Sequence, residues 1–222
     1  FEARGEALWK QKRGPKNATL EQCDLGKGPG RVKGAFVELP RYFADTKKVQ
    51  DLESRLLTCM ENLQGFNAAE IAATPFGRGE QSHIEGLVAW IAAESRGQRF
   101  NLPQGHAEEQ KMFELGKRAF FFRAGSHDFA CATCHGEDGK RIRLQDLPNL
   151  TKNPGDGVGF AAWPAYRVSS GELWGMQRRL NDCYRQQRFP YPGYASDVTI
   201  ALGVYMGVNA KGAESVAPAL KR

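Results

Sequence analysis

Apolar residues recur at helical spacing in four stretches of this chain, and two of the stretches echo the other two. Over 109–123, Met112, Phe113, Leu115, Phe120 and Phe121 stand among charged residues, a pattern that predicts an amphipathic helix with one buried face. Over 197–208, Val198, Ile200, Leu202, Tyr205 and Met206 predict a closing helix that would pack against it. Two earlier stretches, 47–62 (which contains Cys59) and 81–94, read in the same way. Gly97 and Gly212 follow the closing stretches as expected C-caps.

The echo has a fixed spacing. Pro40-Arg-Tyr42 and Pro164-Ala-Tyr166 lie 124 positions apart, as do Arg55-Leu56 with Cys59 and Arg179-Leu180 with Cys183. Leu87, Trp90, Ile91 and Gly97 correspond at an offset of 115 to Leu202, Tyr205, Met206 and Gly212. Matching order and near-equal offsets predict an internal duplication. The stretch 100–106 contains Pro103 and Gly105 and reads as a linker. It divides the chain into 1–104 and 105–222.

Composition sets broad bounds. With 222 residues, 41% of them hydrophobic, the chain can bury a core in each of two small domains. No run of 18 or more apolar residues predicts a membrane span. Lys and Arg number 31 against 25 Asp and Glu, for a net charge of +6. Most of that excess reads as a solvated surface, and an acidic protein or a small oxyanion fits it better than nucleic acid. The 25 glycines and 11 prolines suit helices joined by long loops. The opening Phe1-Glu2-Ala3-Arg4 has no basic and apolar leader, the expectation for a mature form whose export signal has been removed.

Cys131-Ala-Thr-Cys134-His135 changes the picture most. C-x-x-C-H is the attachment signature of a c-type haem: both sulfurs bind the porphyrin, and the histidine becomes the proximal iron ligand. A zinc site would require a second CxxC or a spaced His pair, and the sequence has neither. The fold expectation is therefore mainly α, with two tandem cytochrome c-like domains. The predicted helix at 109–123 leads into the motif, as a cytochrome's first helix does. Cys23-Asp-Leu-Gly-Lys-Gly in the first half has one cysteine and no histidine, so that half is expected to be haem-less and the chain to carry one covalent haem c. Attachment of this kind occurs outside the cytoplasm, which makes the periplasm the expected compartment and permits disulfides.

Of five cysteines, Cys23, Cys59 and Cys183 remain after the two thioethers. Cys23 and Cys59 share the haem-less half and are the expected disulfide, worth roughly 2–4 kcal/mol, leaving Cys183 unpaired. Two residues then compete for the distal position on the iron. Met176 is the commoner ligand type, whereas Cys183 matches Cys59 in the duplication and Met176 matches only Leu52. Arg178, Arg179, Arg185 and Arg188 surround Cys183 in sequence and are expected to lower its thiol pKa. Arg179, one helical turn before it, has the planar fork that binds oxyanions. His83, His106 and His127 are expected to be surface or structural residues.

Pro164-x-Tyr166, Arg179-Leu-Asn-x-Cys183 and the CxxCH motif, together with Arg4-Gly-Glu-Ala-Leu8 and Leu20-Glu-Gln-Cys23-Asp, resemble the SoxA family of sulfur-oxidising bacteria over nearly the whole chain. The resemblance implies His135 and Cys183 as haem ligands, the latter able to carry an extra sulfur, with Arg179 as the family's basic residue. The departure at Cys23 implies the single-haem type, in which a disulfide takes the lost haem's place. It further implies conjugation of thiosulfate to a cysteine of a SoxYZ carrier protein. The implied partners are a monohaem SoxX subunit, forming a heterodimer, and a small cytochrome c acceptor. The competing readings are a thiosulfate dehydrogenase forming tetrathionate and a non-catalytic electron-transfer cytochrome with Met176 on the iron.

Overall fold

The computed structural model describes residues 1–142, 144–152 and 158–221. Helix α1 (Glu2–Lys10) is followed by loops and then by a hairpin of β1 (Arg41–Phe43) and β2 (Lys48–Gln50), paired antiparallel with Tyr42 opposite Val49. Helix α2 (Leu52–Cys59) continues through a π-helical turn at Met60–Gln64, which Gly65 ends with φ +79°. Helices α3 (Ala68–Ala73) and α4 (Gly79–Ala93) complete the first half. The expected helix over 47–62 thus starts later than its periodicity suggests. Lys48–Gln50 pairs as a strand, and Asp51 caps the helix by accepting from the Ser54 amide at 2.8 Å.

The second half repeats the order. Helix α5 (Ala107–Phe121) leads to a short helix α6 (Cys131–His135), a small hairpin of β3 (Arg141–Ile142) and β4 (Gln145–Asp146), and a short helix α7 (Val158–Ala161). Then come β5 (Ala165–Arg167) and β6 (Glu172–Trp174), helix α8 (Met176–Gln186) and helix α9 (Asp197–Asn209). Strand β7 (Ala219–Lys221) adds to β5 in parallel. The predicted helices at 109–123 and 197–208 are α5 and α9. A capping box at His106 and Glu109 starts the first of these, and Ser196 caps the second.

Each half is built on a crossing helix pair, α1 with α4 and α5 with α9. Close approach needs a residue without a side chain at the crossing. A Cβ on Gly5 would overlap the Gly86 carbonyl, and one on Gly116 would overlap that of Ala201. Buried Leu8, Trp9, Leu56, Met60, Ile84 and Leu87 form one core; Phe120, Leu180, Leu202, Tyr205 and Met206 form another. The expected linker is itself packed: Phe100 is fully buried between Phe36 and Phe160. Gly97 and Gly212 lie past the helix ends and tie the two post-helix segments together, the Gly97 amide donating to Ser215 and the Gly212 amide to Phe100.

The N-termini of α2 and α8 also meet. Glu53 is buried and accepts from the Gln177 amide at 3.0 Å and the Tyr194 hydroxyl at 2.9 Å, while the Gln177 side chain donates to Asp51 at 2.7 Å. Glu53 thereby caps α8, whose own N-cap, Gly175, has no side chain to do so.

Candidate functional site

Helix α5 delivers the chain to α6 through a turn closed by the Ala124–Phe129 bridge. Cys131, Cys134 and His135 all line one cavity of ≈ 320 Å³. The His135 ring is fixed through Nδ1, 2.9 Å from the Pro148 carbonyl. A carbonyl can only accept, so Nδ1 carries the proton and Nε2 is left with its lone pair for a metal. Burial and the nearby Arg179 charge lower the His135 pKa, against the pull of the Pro148 hydrogen bond, and this favours the neutral ligating form.

Helix α8 forms part of the cavity wall. Met176, Arg179, Leu180 and Cys183 all reach the cavity from this helix, at the i, i+3, i+4, i+7 spacing of one helical face. Phe120, Leu202 and Met206 supply an apolar lining from the α5–α9 pair. Both candidate distal residues therefore lie in the cavity. Cys183 is close enough to Cys134 that a thiolate at Cys134 would disfavour ionisation of Cys183. The paired cysteines, the histidine with one free nitrogen and the apolar walls fit a covalently held haem, with Cys131 and Cys134 as its attachment points.

The arginines behave less uniformly than their clustering suggests. Arg178 turns away from the cavity and pairs with Glu85 at 2.8 Å and with Glu172. Arg185 is exposed and bonds Asp182 at 2.7 Å; Arg188 is exposed. Arg179 remains, half-buried over Trp163 and 3.3 Å from Asp182. Burial dominates at Cys183 and raises its thiol pKa, contrary to the expected lowering, with Asp182 and Cys134 adding to the rise and Arg179 and Arg167 opposing it. Arg167 is the residue that sequence reasoning missed. It enters the cavity from β5, adjacent to the duplicated Pro-x-Tyr, which was the one available signal.

In the first half the corresponding position holds the Cys23–Cys59 disulfide, the expected pair. Arg55, the counterpart of Arg179, is there neutralised by Asp45 at 2.8 Å and lies over the Phe43 ring at 4.0 Å. His83 sits beside Arg13 and Glu80, His106 caps α5 and stacks on Tyr42, and His127 packs near Phe129.

A CxxCH turn above an apolar cavity, closed by a helix that brings Met176 and Cys183 to it, defines a c-type cytochrome. Residues 4–100 match the family model of the SoxA/TsdA cytochrome c domain. The chain is 56% identical over 218 residues to the L-cysteine S-thiosulfotransferase subunit SoxA of Hydrogenophilus thermoluteolus, a match covering 98% of this chain and 80% of that protein. It is 30% identical over 223 residues to a protein of the same name from Hydrogenobacter thermophilus, covering 100% and 81% respectively. SoxXA from P. pantotrophus has the same fold, with a TM-score of 0.79 at 21% identity over 99% of this chain and 76% of that one. The chain belongs to the SoxA family of cytochromes, and its cofactor is covalently attached haem c.

Proposed function

We propose that this chain is the catalytic subunit of an L-cysteine S-thiosulfotransferase, conjugating thiosulfate oxidatively to a carrier-protein cysteine. The balanced step is S2O3²⁻ + R–S⁻ → R–S–S–SO3⁻ + 2 e⁻, in which one S–S bond forms and both electrons leave. When bound, haem c supplies the one-electron centre through which those electrons reach a small cytochrome c acceptor. The observation that carries the reading is the placement of Arg179 and Cys183 in the same cavity as the CxxCH motif.

In this reading His135 and Cys183 are the residues that would hold the haem iron. Cys183 also exchanges the sulfur being transferred, and Arg179 holds the sulfonate oxygens through paired hydrogen bonds. The chain comprises two tandem cytochrome c-like domains, 1–104 and 105–222. The first is haem-free, since its only counterpart to the attachment cysteines, Cys23, is bonded to Cys59. A single haem accepts one electron at a time, which calls for a SoxX-type monohaem partner subunit. The carrier is SoxYZ and the compartment the periplasm. Among the described residues no helix is long and apolar enough to cross a membrane.

Cys183→Ala tests the reading directly. It should retain haem, change the haem spectrum and abolish thiosulfate turnover with the carrier. Arg179→Lys keeps the charge but loses the fork, so it should impair substrate use more than it changes the spectrum. A Cys183→Ala protein with an unchanged spectrum and full activity would return the distal position to Met176 and the function to simple electron transfer.

A further inference from the structure

The two halves were built from one plan, so the first provides a control for the second. In the first half the helix arginine, Arg55, has its charge met within the fold: Asp45 pairs with it, the Asp24 carbonyl accepts from its Nε at 2.7 Å, and Phe43 covers it. At the offset of 124, Phe43 corresponds to Arg167, Asp45 to Ser169 and Arg55 to Arg179. The second half has no carboxylate at the Asp45 position, Asp182 pairing with Arg179 instead, and it has gained a cation at the position of the covering ring.

Nothing within the described fold neutralises that added charge. Arg167 makes no ion pair among the described residues, and its Nε is buried without a hydrogen-bond partner. Asp182, the carboxylate among the described residues whose charge acts on it, already accepts from Arg179, Arg185 and Gln186. The guanidinium lies 5.0 Å over the Trp174 ring, at the wall of the cavity that contains Cys183. Arg167 and Arg179 are close enough for their charges to oppose each other. Lys221, the register partner of Arg167 on β7, lines the same cavity. Like charges held together with an orphaned donor form an anion site, open to a haem carboxylate or to a small oxyanion, and titration with thiosulfate separates the two.

We infer that Arg167 is a second anion-binding residue of this site, forming with Arg179 a two-guanidinium clamp for a small doubly charged oxyanion beside Cys183. The inference rests on the proposed thiosulfate chemistry for the identity of the anion and deepens it. Two forks divide the work: one cation balances each charge, and together they place the sulfonate so that the outer sulfur faces the cysteine. A monoanion of the same size leaves one guanidinium uncompensated. The clamp thus selects for dianions such as thiosulfate and sulfate.

The test uses the haem-loaded protein assembled with its cytochrome partner subunit. Arg167→Gln should raise the KM for thiosulfate by about tenfold to a hundredfold, the loss of one charged hydrogen-bonding partner. It should leave the haem spectrum and the KM for the carrier protein unchanged, and Arg167→Lys should recover part of the loss. Calorimetric titration with inorganic thiosulfate, without turnover, should show binding weakened in Arg167→Gln by the same factor. Equal thiosulfate binding by wild type and Arg167→Gln, or a KM within about twofold of wild type, overturns the clamp. If Cys183→Ala and Arg179→Lys lose activity while Arg167→Gln does not, the clamp alone fails. If Arg167→Gln weakens binding while Cys183→Ala keeps full turnover, the clamp stands and the sulfur-transfer reading fails.

Discussion

Glu53 links the two halves through a carboxyl that the fold keeps protonated. It is fully enclosed, and burial raises its pKa to about 8, with the neighbouring Asp51 charge pushing the same way and the Gln177 amide and Tyr194 hydroxyl opposing. Glu85 adds a smaller push, while Arg178 is occupied by Glu85 and Glu172. The unfolded chain releases this proton near the ordinary carboxyl value of 4.5. Between these two values the folded chain binds a proton that the unfolded chain does not, so stability falls as pH rises. Its contribution is fully present below about pH 4.5 and is lost as pH passes through about 8.

The slope is at most about 1.4 kcal/mol per pH unit, which amounts to about 4 kcal/mol between pH 5 and 8. For a chain of this size that corresponds to roughly 8–16 °C in Tm. Glu53→Gln keeps the side-chain length and the oxygen that caps α8 but removes the titration. Thermal denaturation of the haem-loaded protein, followed by far-ultraviolet circular dichroism at several pH values, should show the wild type losing stability against Glu53→Gln across that range. Parallel curves for the two proteins would refute the reasoning.

Three further outcomes are expected. Intact mass spectrometry should find one haem, attached through Cys131 and Cys134; two haems, or a free thiol at Cys131, would contradict the single-haem reading. Replacing Cys23 and Cys59 by Ser opens a loop of 36 residues and should lower stability by about 4 kcal/mol, measured by urea denaturation, with little change in the haem spectrum. Gly116→Ala forces a methyl group into the Ala201 carbonyl and should cost about 1–3 kcal/mol, read from the thermal midpoint, whereas Gly139→Ala, where the added carbon meets nothing, should cost only the strain of its positive φ.

The CxxCH turn, the helices at 109–123 and 197–208 and the repeated order of elements were legible in the sequence, because each is carried by residues close together in the chain. CxxCH is a local motif, and the apolar period of an amphipathic helix records burial of one face whatever buries it. The Cys23–Cys59 pair was legible from the cysteine count together with the placement of both residues in the half without a CxxCH motif. The start of α2 was not: the helical period runs through Lys48–Gln50, but pairing with Arg41–Phe43 draws that segment into a hairpin.

Tertiary structure alone decided the charge balance of the site. Sequence proximity placed four arginines around Cys183, but helix geometry points Arg178 at Glu85 and leaves Arg185 and Arg188 in water, while Arg167 arrives from a strand 16 positions upstream. The capping of α8 by Glu53, 124 positions away, was equally beyond reach. Electrostatic interactions act through space and are weighted by burial, so their partners are set by which elements pack together. The same burial raises the Cys183 thiol pKa despite its arginine neighbours, since desolvation depends on the whole enclosing fold and leaves no local trace in the sequence.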